Sequence, residues 1–529
     1  MIRINDIYMP LDYTEEMLLR KAANEIKVKP SDINKIRLVR KSVDARHKND
    51  VHFTVSAELS VKNEQAVLKK FPPNKVSPVT NKKYNVGFVG LRSYRPIVVG
   101  FGPAGMFAAL TLAQAGMKPV VLERGGDCDT RTKAVELFRT KGLLSETSNV
   151  QFGEGGAGTF SDGKLTTGIR DKRIRHIFGE FVRFGAPEEI LYSGKPHIGT
   201  DILRDVVKNI RNEIISLGGE VIFEAKLVGI LPANGSVKGI IYEKSGNENE
   251  LPTNSVILAI GHSARDTFEY LYNSDIAMEK KIFAIGARIE HLQSDVNKSL
   301  YGRFSGHPSL PPAEYKYAVH LPDGKSLYTF CMCPGGYVVA AASENNTVVT
   351  NGMSLYARDG DNANSALLVN VTPADLTDYS PLAGCELQRQ IERAAFNAGG
   401  KDYSAPITLV GDFLSEKLSD SFGNVRPSYI PSVKFARPDD IFPSFITETI
   451  RNGLPLLAQK ADFFNNPQAV ITMPETRSSS PVRIIRDSTL NSVSLKGLYP
   501  CGEGAGYAGG IVSAAVDGIK CGEAVIENG

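Results

Sequence analysis

Three clusters in this chain have residue types and spacings that could do chemistry. The first is Gly100-Phe101-Gly102-Pro103-Ala104-Gly105, a G-x-G-x-x-G run that follows the apolar stretch Ile97-Val98-Val99 and opens an apolar helix. In that setting Gly100 makes a tight turn, Gly102 lets the backbone approach a pyrophosphate, and Gly105 lets the helix pack close to the sheet. The helix N-terminus adds unpaired N–H groups and a positive dipole end. Glu123 ends the next strand about 20 residues on, where a carboxylate accepts ribose hydroxyls and repels a 2′-phosphate. The pattern predicts a dinucleotide, FAD or NAD rather than NADP, held by Gly100, Gly102, Pro103, Ala104, Gly105, Glu123 and the adjacent Arg124.

The second cluster lies at the far end of the chain. Residues 498–511 read LYPCGEGAGYAGGI and lead into an alanine-rich helix over 512–525. This is a second strand–turn–helix with its own exposed N–H groups. An extended FAD needs one βαβ unit for its ADP half and a distant segment for its ribityl-flavin half, whereas a simple NAD dehydrogenase needs no such return. FAD is therefore the predicted cofactor, bound non-covalently, with Gly502, Glu503, Gly510 and Ile511 at its flavin half. The third cluster is a loop with five glycines between Gly153 and Gly163. Such a loop lets backbone N–H groups crowd a planar or anionic ligand. Gly156, Thr159 and Lys164 are its predicted contacts, and Lys164 is either the cation that offsets the charge of a reduced flavin or a surface lysine.

Other reactive residues leave alternatives open. Cys331 and Cys333 stand two apart on a predicted strand, so both point to one face. They are either a redox pair or small buried residues before a Pro-Gly-Gly turn, and the tight ring of a C-x-C disulfide favours packing. Cys333 is retained as the catalytic candidate. Arg477 and Arg483 either bind an anionic substrate or make ordinary salt bridges. His262, beside Gly261, is either a general acid or a structural hydrogen-bonding group. No metal site is expected.

These clusters carry a family resemblance. Residues 95–125 and 495–525 resemble the glutathione-reductase-type FAD fold, in which a Gly-Asp near the C-terminus binds the ribityl chain; Gly502-Glu503 stands there, with glutamate for aspartate. Val256-Ile257-Leu258-Ala259-Ile260-Gly261 resembles the strand that ends beside the pyrophosphate in the same superfamily. A longer resemblance spans nearly the whole chain. NVQFGEGGAGTFSDGKL at 149–165, FCMCPGG at 330–336 and TRSSSPVR at 476–483 are similar to a bacterial group of FAD-dependent dehydrogenases or oxidoreductases. That resemblance implies FAD and redox chemistry and names no substrate.

The elements that must position these residues can be read from periodicity. Strands are predicted over 2–11, 35–41 and 51–61 with a helix over 16–26, followed by a Pro- and Lys-rich linker over 62–90. A strand–turn–helix–strand unit starts at 96, and helices are predicted near 132–141, 172–184 and 200–217. Residues 281–450 alternate as an antiparallel sheet with one helix at 387–397. The predicted fold class is α/β. A discontinuous Rossmann-type FAD-binding domain (91–280 and 451–529) carries an inserted sheet-rich substrate domain (281–450) and a small N-terminal α+β module (1–90).

Composition bounds the rest. At 529 residues, two or three domains are expected, and 42% hydrophobic residues can build packed cores. Six scattered cysteines form no secreted disulfide framework, and the N-terminus lacks a secretion-signal plan, so a cytoplasmic location is expected. No run is long and apolar enough for a membrane span. Residues 1–90 hold 17 Lys+Arg against 10 Asp+Glu. That excess would suit RNA, making a flavin-dependent RNA-modifying or RNA-binding factor one alternative, but no stacking aromatic series accompanies it. A non-catalytic flavin-binding protein is the other. The leading expectation is an FAD-dependent oxidoreductase that moves hydride between flavin and a small molecule. With one dinucleotide fingerprint present, NADH or NADPH would act only as a transient reductant. Neither substrate nor oligomeric state is fixed by the sequence.

Overall fold

The structure is a computed structural model that describes residues 1–80, 84–90 and 92–528. The five strands that carry the glycine turns form one parallel sheet in the order Leu498–Pro500, Val256–Leu258, Ile97–Val99, Val120–Leu122, Glu220–Ile222. Each is only three residues long, and the first four are fully buried, as apolar runs covered on both faces must be. The strand from the chain's end thus lies two places from the strand that opens the first turn. That adjacency brings the helices Pro103–Gln114 and Ile511–Asn528 into contact. They meet backbone to backbone: a Cβ at Gly518 would sit 2.0 Å from the carbonyl oxygen of Ala104.

Residues 283–475 build most of a seven-stranded sheet in the order Ala318–His320, Ser326–Cys333, Asn362–Val371, Phe283–Leu292, Val470–Glu475, Ala405–Leu409, Val433–Phe435. All its pairs are antiparallel except the last, which is parallel, so the expected antiparallel sheet carries one parallel edge. Its long central strands are buried nearly end to end. Phe283, Ile285, Ala287 and Ile289 enter the main apolar core, which also takes in helix Ser444–Ala458. The opposite side of that strand turns Arg288 toward Glu475, at the wall of the molecule's main cavity. Period-two alternation therefore sets a polar wall on an apolar sheet. The helix expected at 387–397 runs from Ala383 to Ala398.

The N-terminal sheet has the order Ile33–Asp44, His52–Val61, Ile2–Met9, Val76–Pro78. Helix Glu15–Glu25 starts at Thr14, whose hydroxyl accepts from the Met17 N–H, and Glu15 and Glu16 complement its dipole. The stretch read as a linker is partly built into the fold. Helix Glu64–Lys70, capped by Asn63, leads to the edge strand Val76–Pro78, because Val67, with Leu68 and Phe71 beside it, packs on the main apolar core, a contact that the proline count obscured. Further on, the Tyr84 hydroxyl donates to Glu523, and Val89 and Gly90 donate to the Ala115 carbonyl. No helix among the described residues is long and apolar enough to cross a membrane.

Candidate functional site

A cavity of about 670 Å³ runs between the parallel sheet and the seven-stranded sheet, within the range of small-molecule and cofactor sites. Gly100, Gly102, Pro103, Ala104, Glu123, Arg124, Gly156, Lys164, Gly261, His262, Arg477, Glu503, Gly510 and Ile511 all lie on its wall. Gly105, Thr159, Cys333 and Gly502, expected there from the sequence, do not.

At one end the turn after Val99 faces the glycine loop. A Cβ at Gly156 would stand 2.8 Å from the Cα of Gly102, so the loop and the turn pack backbone against backbone. Gly105 serves the other side of the turn, where a Cβ would meet the Gly100 carbonyl at 1.9 Å. The buried Glu123 carboxylate accepts from Phe101 N–H at 2.9 Å through one oxygen and from Gly125 and Gly153 N–H at 2.9 and 3.0 Å through the other. A carboxylate has about four acceptor positions, so one remains for a donor in the cavity. Arg124 lies 4.5 Å over the Phe152 ring and binds Asp266 and Thr267. Thr159 instead ties the loop to itself, donating to the Glu154 carbonyl and accepting from the Thr200 hydroxyl.

What holds the glycine loop is Arg131, which sequence reasoning missed. Fully buried, it donates to the carbonyls of Asn149, Val150 and Glu154 at 2.7–2.9 Å. Its partners are backbone oxygens, which any sequence supplies, so no motif announces it.

The C-terminal turn is held by a buried ion pair. Gly502 N–H donates to Asp517 at 2.7 Å, and Arg486 grips both oxygens of the same carboxylate at 2.9 and 2.7 Å. The ligand atoms of Cys501, Cys521 and Asp517 lie within 4.8 Å of one another, and Arg486 engages both oxygens of the carboxylate. Gly502 is thereby a structural turn, and Glu503 after it faces the cavity. No group among the described residues hydrogen-bonds its carboxyl. Burial pushes that carboxyl up to about 7, with Lys281 only partly opposing.

The third end lies against the seven-stranded sheet. Lys164 is not a bare cation: it donates to Glu314 at 3.3 Å and to the Met332 carbonyl. Arg358 bridges Glu314 at 2.6 Å and Asp162 at 2.5 and 3.0 Å. Burial works against the Glu314 carboxylate, but Lys164, Arg358 and Lys195 hold it ionised at about 2. Burial likewise disfavours the Lys164 ammonium, and Glu314 and Asp162 outweigh it, raising its affinity for the proton. Lys195, Lys316, Thr166 and Phe330 form the exposed rim.

Two catalytic expectations change in this setting. Arg477 is bound to Glu392 at 2.9 and 3.0 Å and to the Ser343 hydroxyl, so its guanidinium is committed to a buried ion cluster that also holds Arg265. Arg483 pairs with Glu279. Burial, then Arg477 and Arg265, push His262 down to about 3, so it is neutral and bonds Ser263 at 3.0 Å; a general acid must carry a proton it can release, which this imidazole lacks.

The cysteines depart from strand alternation. The ladder slips between Phe330 and Cys333, and Cys331 takes a left-handed φ of 42°. Cys331 faces the cavity, while Cys333 lies behind it with its thiol 3.3 Å from the Cys331 carbonyl. The S–H of Cys333 draws the Cys331 thiol down against burial, helped by Arg288 and Lys164, and Cys333 is pushed up in return.

Residues 94–281 match the model of the pyridine nucleotide-disulphide oxidoreductases, and residues 282–478 match that of the FAD-dependent protein, C-terminal domain-like family. Residues 1–60 match a domain of unknown function. An uncharacterized protein of Clostridium beijerinckii is 46% identical over 529 residues, covering 99% of this chain and 98% of the relative. The chain belongs to this family, a bacterial FAD-dependent oxidoreductase group. Among solved structures, the flavin-dependent brominase Bmp2 is 12% identical with a TM-score of 0.38 over 82% of this chain and 80% of its own. A flavoprotein/dehydrogenase from Cytophaga hutchinsonii is also 12% identical, with a TM-score of 0.37 over 81% of this chain and 76% of its own. Likeness at that level supports no statement about this chain's chemistry.

The residues present fit FAD. Gly100, Gly102 and Gly156 present bare backbone to the cavity, Glu123 keeps an acceptor for a ribose hydroxyl, and Glu503 presents a carboxyl that has no hydrogen-bond partner among the described residues.

Proposed function

We propose that the protein is an FAD-dependent oxidoreductase acting on a small anionic molecule that enters between the two sheets. The observation that carries this reading is a single cavity that runs from Glu123, past Glu503, to Lys164 and Cys331. FAD, when bound, supplies hydride chemistry. The chain's own residues do the rest. The 100–105 turn and the N-terminus of helix Pro103–Gln114 receive the pyrophosphate, and Glu123 with Arg124 receives the adenosine. Glu503, with an affinity for protons near neutrality, holds or releases a proton against the ribityl hydroxyls. Lys164, kept charged by Glu314, offsets negative charge that develops at the flavin end. His262 serves as a neutral hydrogen-bonding wall, beside Arg477, whose guanidinium is taken up by Glu392. Lys195 and Lys316 at the rim favour an anion. The domain division that follows moves the second boundary: the sheet-rich body runs from Phe283 to Glu475, past the 450 read from the sequence, and the flavin body takes the segments on either side of it.

Purified protein should be yellow, and mild acid should release FAD rather than FMN. Gly102→Val should be folded and colourless, since its side chain fills the approach to Gly156. Anaerobic NADH or NADPH should bleach the wild-type flavin, and the faster of the two identifies the reductant. A colourless wild type that takes up no added FAD overturns the reading.

A further inference from the structure

One thiol on the cavity wall, that of Cys331, and a second behind it, that of Cys333, are left unused by the proposed chemistry. We propose that Cys331 and Cys333 are a dithiol–disulfide pair that exchanges two electrons with the flavin, an inference that rests on the flavin reading above.

Geometry makes the pair competent. Cα atoms two residues apart span at most about 7 Å, which overlaps the roughly 4.4–6.8 Å over which a disulfide closes. The ladder slip and the left-handed Cys331 take this segment out of regular pleating, and the Cys333 thiol folds back to 3.3 Å from the Cys331 carbonyl. Access is divided between the two. Cys331 faces the cavity with Glu503 and Lys164. Cys333 is fully buried behind it. Such a division suits an attacking thiolate and a resolving thiol. The surroundings favour a thiolate at Cys331: Lys164 lines the same cavity wall, and Arg288 donates to the Cys331 carbonyl at 3.1 Å. Arg288 itself is fixed by Glu475 at 2.6 and 3.2 Å and by Asn364 at 2.7 Å. A buried guanidinium held by two side chains and a backbone carbonyl is a costly arrangement to maintain merely to pack two small residues.

The step balances. Two S–H bonds break and one S–S bond forms; the two electrons and one proton pass to oxidised FAD, and the second proton leaves through Glu503 or solvent. In reverse, reduced flavin opens the disulfide. These thiols lie on the sheet-rich half of the molecule, so the flavin would be met from the side facing the substrate entrance.

The test uses the intact holoenzyme. Oxidised protein and protein reduced anaerobically with dithionite are each denatured in excess alkylating agent, and the peptide holding both cysteines is weighed. A disulfide in the first sample and two alkylated thiols in the second are expected. Dithionite titration should consume about two electron equivalents per flavin beyond the flavin's own two, because a disulfide is a two-electron couple. The excess should vanish in Cys331→Ser and Cys333→Ser. Two free thiols in both wild-type samples, with no excess uptake, overturn the proposal even if either variant fails to fold. Absence of flavin is a separate failure, read from colour. Flavin-free protein equilibrated in glutathione buffers then decides the pair alone: disulfide formation as a unit supports it, and two thiols throughout overturn it.

Discussion

Glu503 stands where the resembling fold has aspartate, facing a cavity with no hydrogen bond on its carboxyl from the described residues. Burial raises that group to about 7 from an ordinary 4.5. A carboxyl whose folded value is raised keeps its proton while the unfolded chain has released it. The folded state then binds more protons than the unfolded one, and stability falls as pH rises through that window. Flavin-free protein should therefore lose stability between pH 4.5 and about 7, and Glu503→Gln should flatten that slope in denaturant titrations at several pH values. An unchanged slope in the variant would show that the carboxyl is solvated. The glycine turn and Glu123 were legible because a pyrophosphate demands bare backbone at fixed spacing. Arg131 was not, since it binds carbonyls that leave no side-chain signature. Cys331 was legible as a reactive type but misplaced relative to Cys333, because a ladder slip without glycine or proline gives no local signal.

At the scale of elements, the contact between helices Pro103–Gln114 and Ile511–Asn528 matters most, since each begins at one of the two cavity turns. Gly518 makes that contact possible: its Cβ would lie 2.0 Å from the Ala104 carbonyl. Gly518→Val should push the helices apart and cost about 1–3 kcal/mol or more, as overpacking does, with flavin occupancy falling in parallel. Gly179, also helical but with nothing within 4 Å of its Cβ, provides the contrast. Gly179→Ala should leave occupancy unchanged and gain up to about 1 kcal/mol from helix propensity. Equal effects of the two substitutions would remove the packing explanation. The strand–turn–helix units were readable because the period changes sharply across a glycine cluster. Helix Glu64–Lys70 was not, since seven residues give too few turns for a periodic signal against neighbouring prolines.

For the whole molecule, charge and proline content suggested a front module over residues 1–90 joined to the rest by a linker. The core argues against that independence. Ile2, Ile4, Phe53, Val55 and Leu59 of the first sheet belong to the same apolar cluster as Phe283, Ile285, Leu367 and Val369 of the seven-stranded sheet. The backbone of Lys41 also pairs with the segment before Lys195, donating to Tyr192 and accepting from Gly194. Arg303 donates to the Asn49 carbonyl, and His307 approaches Asp12 at 3.1 Å. Fully burying one large apolar side chain contributes about 1.5–3 kcal/mol, so uncovering several exceeds what a marginally stable domain tolerates. Deletion of residues 1–90 should give protein that aggregates or binds a hydrophobic dye and retains little flavin. Supplying residues 1–80 as a separate chain should restore part of the soluble yellow fraction, because the lost surface is then covered again. Size-exclusion chromatography with flavin absorbance reads both outcomes. A monodisperse yellow truncation would mean that the shared core is dispensable and that the front module is an appendage.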